Sequence, residues 1–173
     1  MYLKISGAVL IILATYLYGH NLSFMYYNRV RRLEELLMAL EMFLTEVNYS
    51  LTPLPQAFIS IGEKISRPVG GLFFDAAKLM QQNRGLSACE CWRSAIKKNY
   101  RDLDLTRNNM DLLDRLGLIW GRSDKNGQQR QIALIQELLR QALGEAQVKH
   151  QKNEKICKYL GLLGGITLVL FLL

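Results

Sequence analysis

The feature that most constrains this chain is the apolar run at its end, from Tyr159 to Leu173. The run contains no charged residue and no proline, so none of its faces suits the water-exposed side of a surface helix. A membrane span takes about 20 apolar residues at about 1.5 Å each, whereas these fifteen give about 22 Å. Lys155 and Lys158 can extend to the lipid headgroups, which allows a thin or locally thinned span. We therefore predict a C-terminal membrane anchor over residues 156–173.

A second apolar run, from Ile5 to Tyr18, follows Lys4 near the beginning of the chain. A cleaved signal peptide has a similar basic start and apolar centre, and it is the alternative to a permanent anchor. The stretch Ala14–Gly19, however, lacks the small-x-small box at which a signal peptide is cut. This favours an uncleaved anchor over residues 1–24, with a central domain over residues 25–155.

Basic residues stand on the inner flank of both predicted spans. Those after the first span and before the second are Arg29, Arg31, Arg32, Lys149, Lys152, Lys155 and Lys158. Outside the spans stands only Lys4. The positive-inside rule therefore places the central domain in the cytoplasm and both termini on the opposite side of the membrane.

Between the predicted spans, apolar residues recur at helical spacing. The first helix carries one such stripe: Val30, Leu33, Leu36, Leu37, Leu40, Phe43, Leu44 and Val47. Thr52 in front of Pro53 predicts the capped start of a second helix, and the S-x-x-E pattern from Ser87 to Glu90 predicts the start of a fourth. The periodicity predicts an all-α fold, a bundle of about six helices flanked by an N-terminal and a C-terminal transmembrane helix.

The stretch from Gly117 to Asp124 predicts a tight corner between the fifth helix and the last. Gly117 and Gly121 flank a tryptophan, and Ser123 with Asp124 offers an N-terminal cap to the helix that follows. We expect the fifth helix to stop at Gly121. The needs of helix packing explain these residues fully, and a contact site is the alternative.

Catalytic motifs are missing from the sequence. No phosphate-binding loop, nucleophile elbow or dinucleotide fingerprint occurs, and neither His20 nor His150 has a ligand at metal-binding spacing. Cys89 and Cys91, two residues apart on a helix, point about 200° away from each other, which suits reduced thiols rather than a shared bridge. We expect no cofactor, no metal and no enzymatic activity.

The chain is basic, with 22 lysines and arginines against 15 acidic residues. A band of positive charge surrounds the predicted fourth helix: Arg84, Arg93, Lys97, Lys98, Arg101 and Arg107. A merely solvated helix face explains the band, as does contact with anionic lipid or with an acidic protein. Nucleic acid is the least favoured ligand, because no aromatic residues interleave with the charges. As candidate partner-docking residues we single out Arg93, Lys97, Lys98 and Arg101.

Acidic residues gather at the predicted fifth helix: Asp102, Asp104, Asp111 and Asp114. Near a helix start, carboxylates offset the helix dipole, so we expect a structural role for them. In the C-terminal run, Gly161 and Gly165 form the G-x-x-x-G spacing that lets two membrane helices approach closely, as in a homo-oligomer. Glycine is also common in membrane helices for other reasons.

The order and spacing of several short motifs resemble the stage III sporulation protein AB family of endospore-forming bacteria. They extend over the whole chain, from the N-terminal anchor to Asn153, Lys155 and the final span. The motif residues in between are Arg32, Glu46, Tyr49, Thr52, Pro53, Leu54, Leu116, Gly117, Gly121, Ser123, Asp124 and Gln128 or Gln129.

This resemblance implies a component of the secretion-like complex between mother cell and forespore, in the mother-cell membrane that surrounds the forespore. It also implies a helical domain similar to the cytoplasmic domain of the platform proteins of type II secretion and type IV pilus machines. The expected partners are then the secretion-type ATPase encoded with it and other channel proteins, and no catalytic residues carry over. Two alternatives remain, a membrane-anchored signalling or regulatory adaptor and a secreted helical protein.

Overall fold

The described residues of the chain are mostly α-helical. The computed structural model describes residues 24–46, 52–82, 85–120 and 125–172, with side chains as far as residue 153. No β-strand occurs in these ranges, so the prediction of an all-helical fold with about six helices is confirmed. The helices are α1 over 24–46, α2 Leu54–Lys64, α3 Val69–Gln82, α4 Ala88–Asn99, α5 Arg107–Gly117 and α6 Lys125–Leu172.

The chain divides into two compact units. One unit is formed by Arg31–Gly144, and it contains α2 to α5 with most of α1 and the first part of α6. In the other unit, which includes residues 24–30 and the remainder of α6, the ring of Tyr27 lies 6.0 Å from that of His150. The predicted boundaries of the central domain, at residues 25 and 155, stay a prediction.

No helix among the described residues is both long enough and apolar enough to cross a membrane. Residues 1–23 of the first predicted anchor lie outside the described ranges, and so do the side chains of residues 156–173. Gly161 and Gly165 fall on the helical backbone of α6, in the same part of the chain. Both anchors and the packing of helices through these glycines therefore stay predictions.

The core of the 31–144 unit is a cluster of five aromatic rings. Neighbouring ring centroids lie 4.7–5.9 Å apart, mostly edge to face, as aromatic pairs prefer. The indole Nε1 of Trp92 donates to the backbone oxygen of Leu113 at 2.7 Å, which satisfies its buried polar atom. The members of the cluster are Phe43, Phe58, Phe73, Trp92 and Trp120.

Glycines allow two close contacts in this core. A Cβ added to Gly70 would lie 2.0 Å from the backbone oxygen of Ile65. No other residue therefore fits at this position, near the start of α3. A Cβ added to Gly117 would lie 3.0 Å from Cδ1 of Trp92. Any larger residue would therefore press on the indole of Trp92, so the packing of α5 against α4 favours glycine at position 117, which is the structural explanation that the sequence favoured.

Three helix ends were predicted from sequence signals, and the structure confirms one of them. The capping box at the start of α4 is confirmed, because the Ser87 hydroxyl accepts from the Glu90 amide and the Glu90 carboxylate accepts from the Ser87 amide. The predicted end of the fifth helix at Gly121 is wrong. The helix ends at Gly117, and the amides of Leu118 and Ile119 bond three residues back, a tighter turn that lets Trp120 enter the core.

The predicted cap at Thr52 is also wrong. The N-cap of α2 is Pro53, which has no side-chain capping bond. The Thr52 hydroxyl instead donates to the carboxylate of Glu46 at 3.3 Å, and the Ser60 hydroxyl donates to the other oxygen of that carboxylate at 3.2 Å. A charged acceptor makes the stronger bond, so Thr52 joins α1 to α2 rather than capping a helix.

A network of charged and polar groups holds α1 to the turn between α2 and α3, and we call it the α1 clasp. Glu35 of α1 accepts from Arg31 and Arg32, both at 3.1 Å, and from the hydroxyl of Ser66 at 2.5 Å. Arg32 also donates to the backbone oxygen of Arg67 at 3.3 Å. The side chains of Glu35 and Arg32 are only 12% and 13% exposed, so these bonds are partly shielded from water.

Candidate docking groove

Helix α4 places the predicted docking residues on its outer side. Its inner side buries four residues: Cys91, Trp92, Ala95 and Ile96. Arg93 and Lys97 are four residues apart on the opposite side, and Arg101 follows four residues later, in the turn after the helix. At about 1.5 Å per residue, Arg93 and Lys97 are separated by about 6 Å along the helix axis. All three side chains are exposed.

These residues line an open groove between α4 and α5. Ile96, only 7% exposed, and Tyr100, 57% exposed, contribute apolar surface to it. Asp102, in the turn after α4, and Asp114, on α5, also line the groove. The lining of the groove therefore combines basic residues, which we call its basic side, two aspartates, which we call its acidic side, and an aromatic ring.

Lys98 differs from the other predicted docking residues because it already has a partner. Its Nζ lies 2.8 Å from Oδ1 of Asp75 on α3, and Nδ2 of Asn99 donates to Oδ2 of the same carboxylate at 3.0 Å. Burial acts to raise the pKa of Asp75, but these two bonds and the charges of Lys98 and Arg67 outweigh it and hold the pKa below its ordinary value. Lys98 thus joins α4 to α3, while its side chain remains 69% exposed.

The remaining charges of the groove are not paired with one another. Within the described ranges, no ion pair within 4.0 Å involves Arg93, Lys97, Arg101, Asp102 or Asp114. Opposite charges that share a groove without closing on each other leave room for a ligand between them. The site can therefore bind a charged partner without first breaking an internal ion pair.

The sequence predicted the basic side of this groove but missed the acidic side. Asp102 and Asp114 were expected to offset the dipole of the fifth helix, and nothing local connects them to Lys97. The packing of α5 against α4 through Gly117 and Trp92 is what brings them to the same groove. A sequence signal did exist, since a connection as short as that between Asn99 and Arg107 makes two helices neighbours.

The family motif residues that the structure describes hold the fold together and do not line the groove. Glu46 and Thr52 join α1 to α2, and Gly117 packs against Trp92. Tyr49, Gly121, Ser123 and Asp124 lie outside the described residues, so their roles stay predictions.

The cysteines and the potential metal ligands offer no competing site in the described part of the chain. Cys89 and Cys91 are free thiols, as predicted, and burial together with the neighbouring charge of Glu90 raises the pKa of Cys91. A raised pKa disfavours the reactive thiolate. In the described ranges, no group of three or more His, Cys, Asp or Glu side chains could hold a metal ion.

Comparisons with known proteins all point to one family. Residues 4–173 match the family model described as stage III sporulation protein AB. The curated stage III sporulation protein AB of Bacillus subtilis strain 168 is 34% identical over 172 residues, which is 99% of each chain. A solved structure of a stage III sporulation protein AB superposes with a TM-score of 0.67 at 27% identity, covering 72% of this chain and 97% of that one. The chain belongs to the stage III sporulation protein AB family.

Proposed function

We propose that this sporulation protein is a non-enzymatic membrane platform in the secretion-like channel complex between mother cell and forespore. Its task there is to dock the secretion-type ATPase encoded with it. The observation that carries the proposal is the basic side of the groove, where Arg93, Lys97 and Arg101 line the same groove, exposed and unpaired within the described residues. A solvated helix face would not need to gather unpaired charges at an open groove.

The physical argument rests on charge complementarity. A row of unpaired positive charges attracts an acidic surface over about one Debye length, roughly 8 Å at physiological salt, and so raises the rate of encounter. No internal ion pair has to be broken when the partner arrives, because these three residues have none in the described ranges.

The proposal includes anchors over residues 1–24 and 156–173, which hold the protein in the mother-cell membrane around the forespore. The domain between them faces the cytoplasm, and both termini lie across the membrane. Two features support this: the positive charge on the inner flanks of both apolar runs, and the continuity of α6 from Lys125 to Leu172. A helix without a break would connect the domain directly to its C-terminal anchor.

Affinity capture from sporulating cells tests the docking. The tagged full-length chain should retain the ATPase and other channel proteins, and the double variant Lys97→Glu, Arg101→Glu should lose most of the ATPase. The matched control is Lys78→Glu, which reverses an exposed charge on α3 outside the groove and should leave capture unchanged. Raising the salt should weaken capture by the unaltered chain.

Two results would count against the proposal. Undiminished capture of the ATPase by the double variant would show that the basic side of the groove is not the docking surface. Capture of a kinase or a transcription regulator in place of the ATPase would favour the regulatory adaptor that the sequence left open.

A further inference from the structure

The groove between α4 and α5 carries both signs of charge. Arg93, Lys97 and Arg101 are its basic residues, and Asp102 and Asp114 are its acidic residues. All five side chains are exposed, and no ion pair within 4.0 Å connects the two sets in the described residues. The groove therefore presents a pattern of charge rather than a uniform positive field.

This pattern selects among acidic ligands. A uniformly anionic surface, such as a bilayer of acidic lipids, would gain at the basic side and be repelled by the two aspartates. A ligand that carries its own positive charge opposite the aspartates avoids that repulsion and gains a second attraction. Unfavourable contacts with the wrong ligand are a general source of specificity in addition to favourable contacts with the right one.

The spacing on α4 restricts the possible ligands further. Lys97 follows Arg93 after four residues, about 6 Å along the helix axis, and Arg101 lies beyond the end of the helix, in the turn that follows. Carboxylates four residues apart on a partner helix repeat at the same interval. The exposed ring of Tyr100 offers apolar area to the body of such a helix, and aromatic residues of this kind are common at the centre of interfaces.

From these features we infer that the groove binds a helical protein segment of mixed charge. Two of its carboxylates, four residues apart, face Arg93 and Lys97, and its lysine or arginine faces Asp102 and Asp114. The inference rests on the proposed docking of the ATPase and names the chemistry of the segment that docks. It assigns to the two aspartates a role in choosing the partner.

The inference is tested by whether neutralising an aspartate of the groove weakens or strengthens binding. The full-length chain, placed in nanodiscs of neutral lipid, is titrated with the fluorescently labelled ATPase. Asp114→Asn should weaken binding about three- to fivefold, because one favourable charge pair near a protein surface is lost. The matched control Asp111→Asn removes an exposed carboxylate three residues earlier on α5, outside the groove, and should leave the affinity unchanged. Asp102→Asn is a second variant and should weaken binding in the same direction.

Tighter or unchanged binding by both Asp114→Asn and Asp102→Asn would overturn the inference, because a uniformly acidic ligand gains when the aspartates are neutralised. If Lys97→Glu still weakened binding in that case, the groove would remain the docking site, and only the inference that the docked segment carries both charges would be wrong. If Lys97→Glu left the affinity unchanged as well, the docking of the ATPase in this groove would itself be wrong.

Discussion

The α1 clasp and the groove between α4 and α5 are both rich in charge, but they differ in how their charges are partnered. In the clasp, Glu35 accepts from two arginines and from Ser66, and side chains 12–13% exposed hold α1 against the turn between α2 and α3. In the groove, Arg93, Lys97 and Arg101 are exposed and form no ion pair within the described residues. Lys98, paired with Asp75 but still 69% exposed, is intermediate between the two.

This difference shows that the number of charges on a surface does not indicate their role. Charges that are shielded and mutually bonded stabilise the fold, because removing one member leaves the others desolvated without a partner. Exposed and unpaired charges contribute little to stability, so they are available to a partner at little cost to the fold. The comparison therefore predicts a falling series of stability effects from the clasp to the groove.

The largest effect is expected at the clasp. Glu35→Ala should lower the free energy of unfolding by about 2 kcal/mol, since it leaves Arg32 partly buried without its carboxylate. Urea unfolding of the full-length chain in detergent, followed by tryptophan fluorescence, measures this difference. The control is Glu41→Ala, whose ion pair with Arg140 is 3.7 Å long and half exposed, and which should cost about 0.5 kcal/mol or less. Equal losses for the two variants would contradict the distinction between shielded and exposed pairs.

A smaller effect is expected where α4 meets α3. Asp75→Asn should cost less than about 1 kcal/mol at pH 7, because its partner Lys98 is largely exposed. The fold lowers the pKa of Asp75, so its carboxylate stabilises the protein fully above the ordinary value of 3.8 and loses this contribution as the pH falls through the lowered pKa of the folded state. The urea midpoints of the unaltered chain and the variant should thus differ at pH 7, and the difference should shrink as the pH falls below 3.8. A difference that did not shrink below pH 3.8 would show that the charge of Asp75 is not the cause.

The smallest effect is expected in the groove itself. Lys97→Glu should change the free energy of unfolding by less than about 0.5 kcal/mol, because this exposed side chain has no ion-pair partner in the described residues. Unfolding in urea, with Lys78→Glu measured in parallel, provides the comparison. A loss comparable to that of Glu35→Ala would mean that the groove, like the clasp, supports the fold.

Periodicity predicted the buried residues of the helices because burial repeats with the helical turn. Leu33, Leu36, Leu40 and Phe43 follow one another at steps of three and four, and all four are buried. The capping box at Ser87 was equally predictable from the sequence, since its partners lie within four residues. Signals that act over one or two turns of a helix are visible in the sequence.

Contacts between residues far apart in the sequence could not be predicted in this way. The bond from Thr52 to Glu46 competes with helix capping, and only the folded geometry decides which one forms. Asp75 and Lys98 are 23 residues apart, so no local rule pairs them. Asp114 reaches the groove only because α5 packs on α4. The basic residues of the candidate site were therefore predicted from the sequence, whereas tertiary packing decides that the acidic residues join them.

The aromatic cluster has a consequence for how the 31–144 unit assembles. Its five rings come from α1, α2, α3, α4 and the turn that follows α5, so each of these segments contributes one ring. Detaching any one of them would remove a ring and expose the faces of its neighbours, at a cost of about 3–5 kcal/mol if the loss resembles an aromatic-to-alanine change. Partly assembled forms are therefore strongly disfavoured, and the unit should fold and unfold as one cooperative whole. Shorter versions of the unit that omit one of these segments would not keep a stable core.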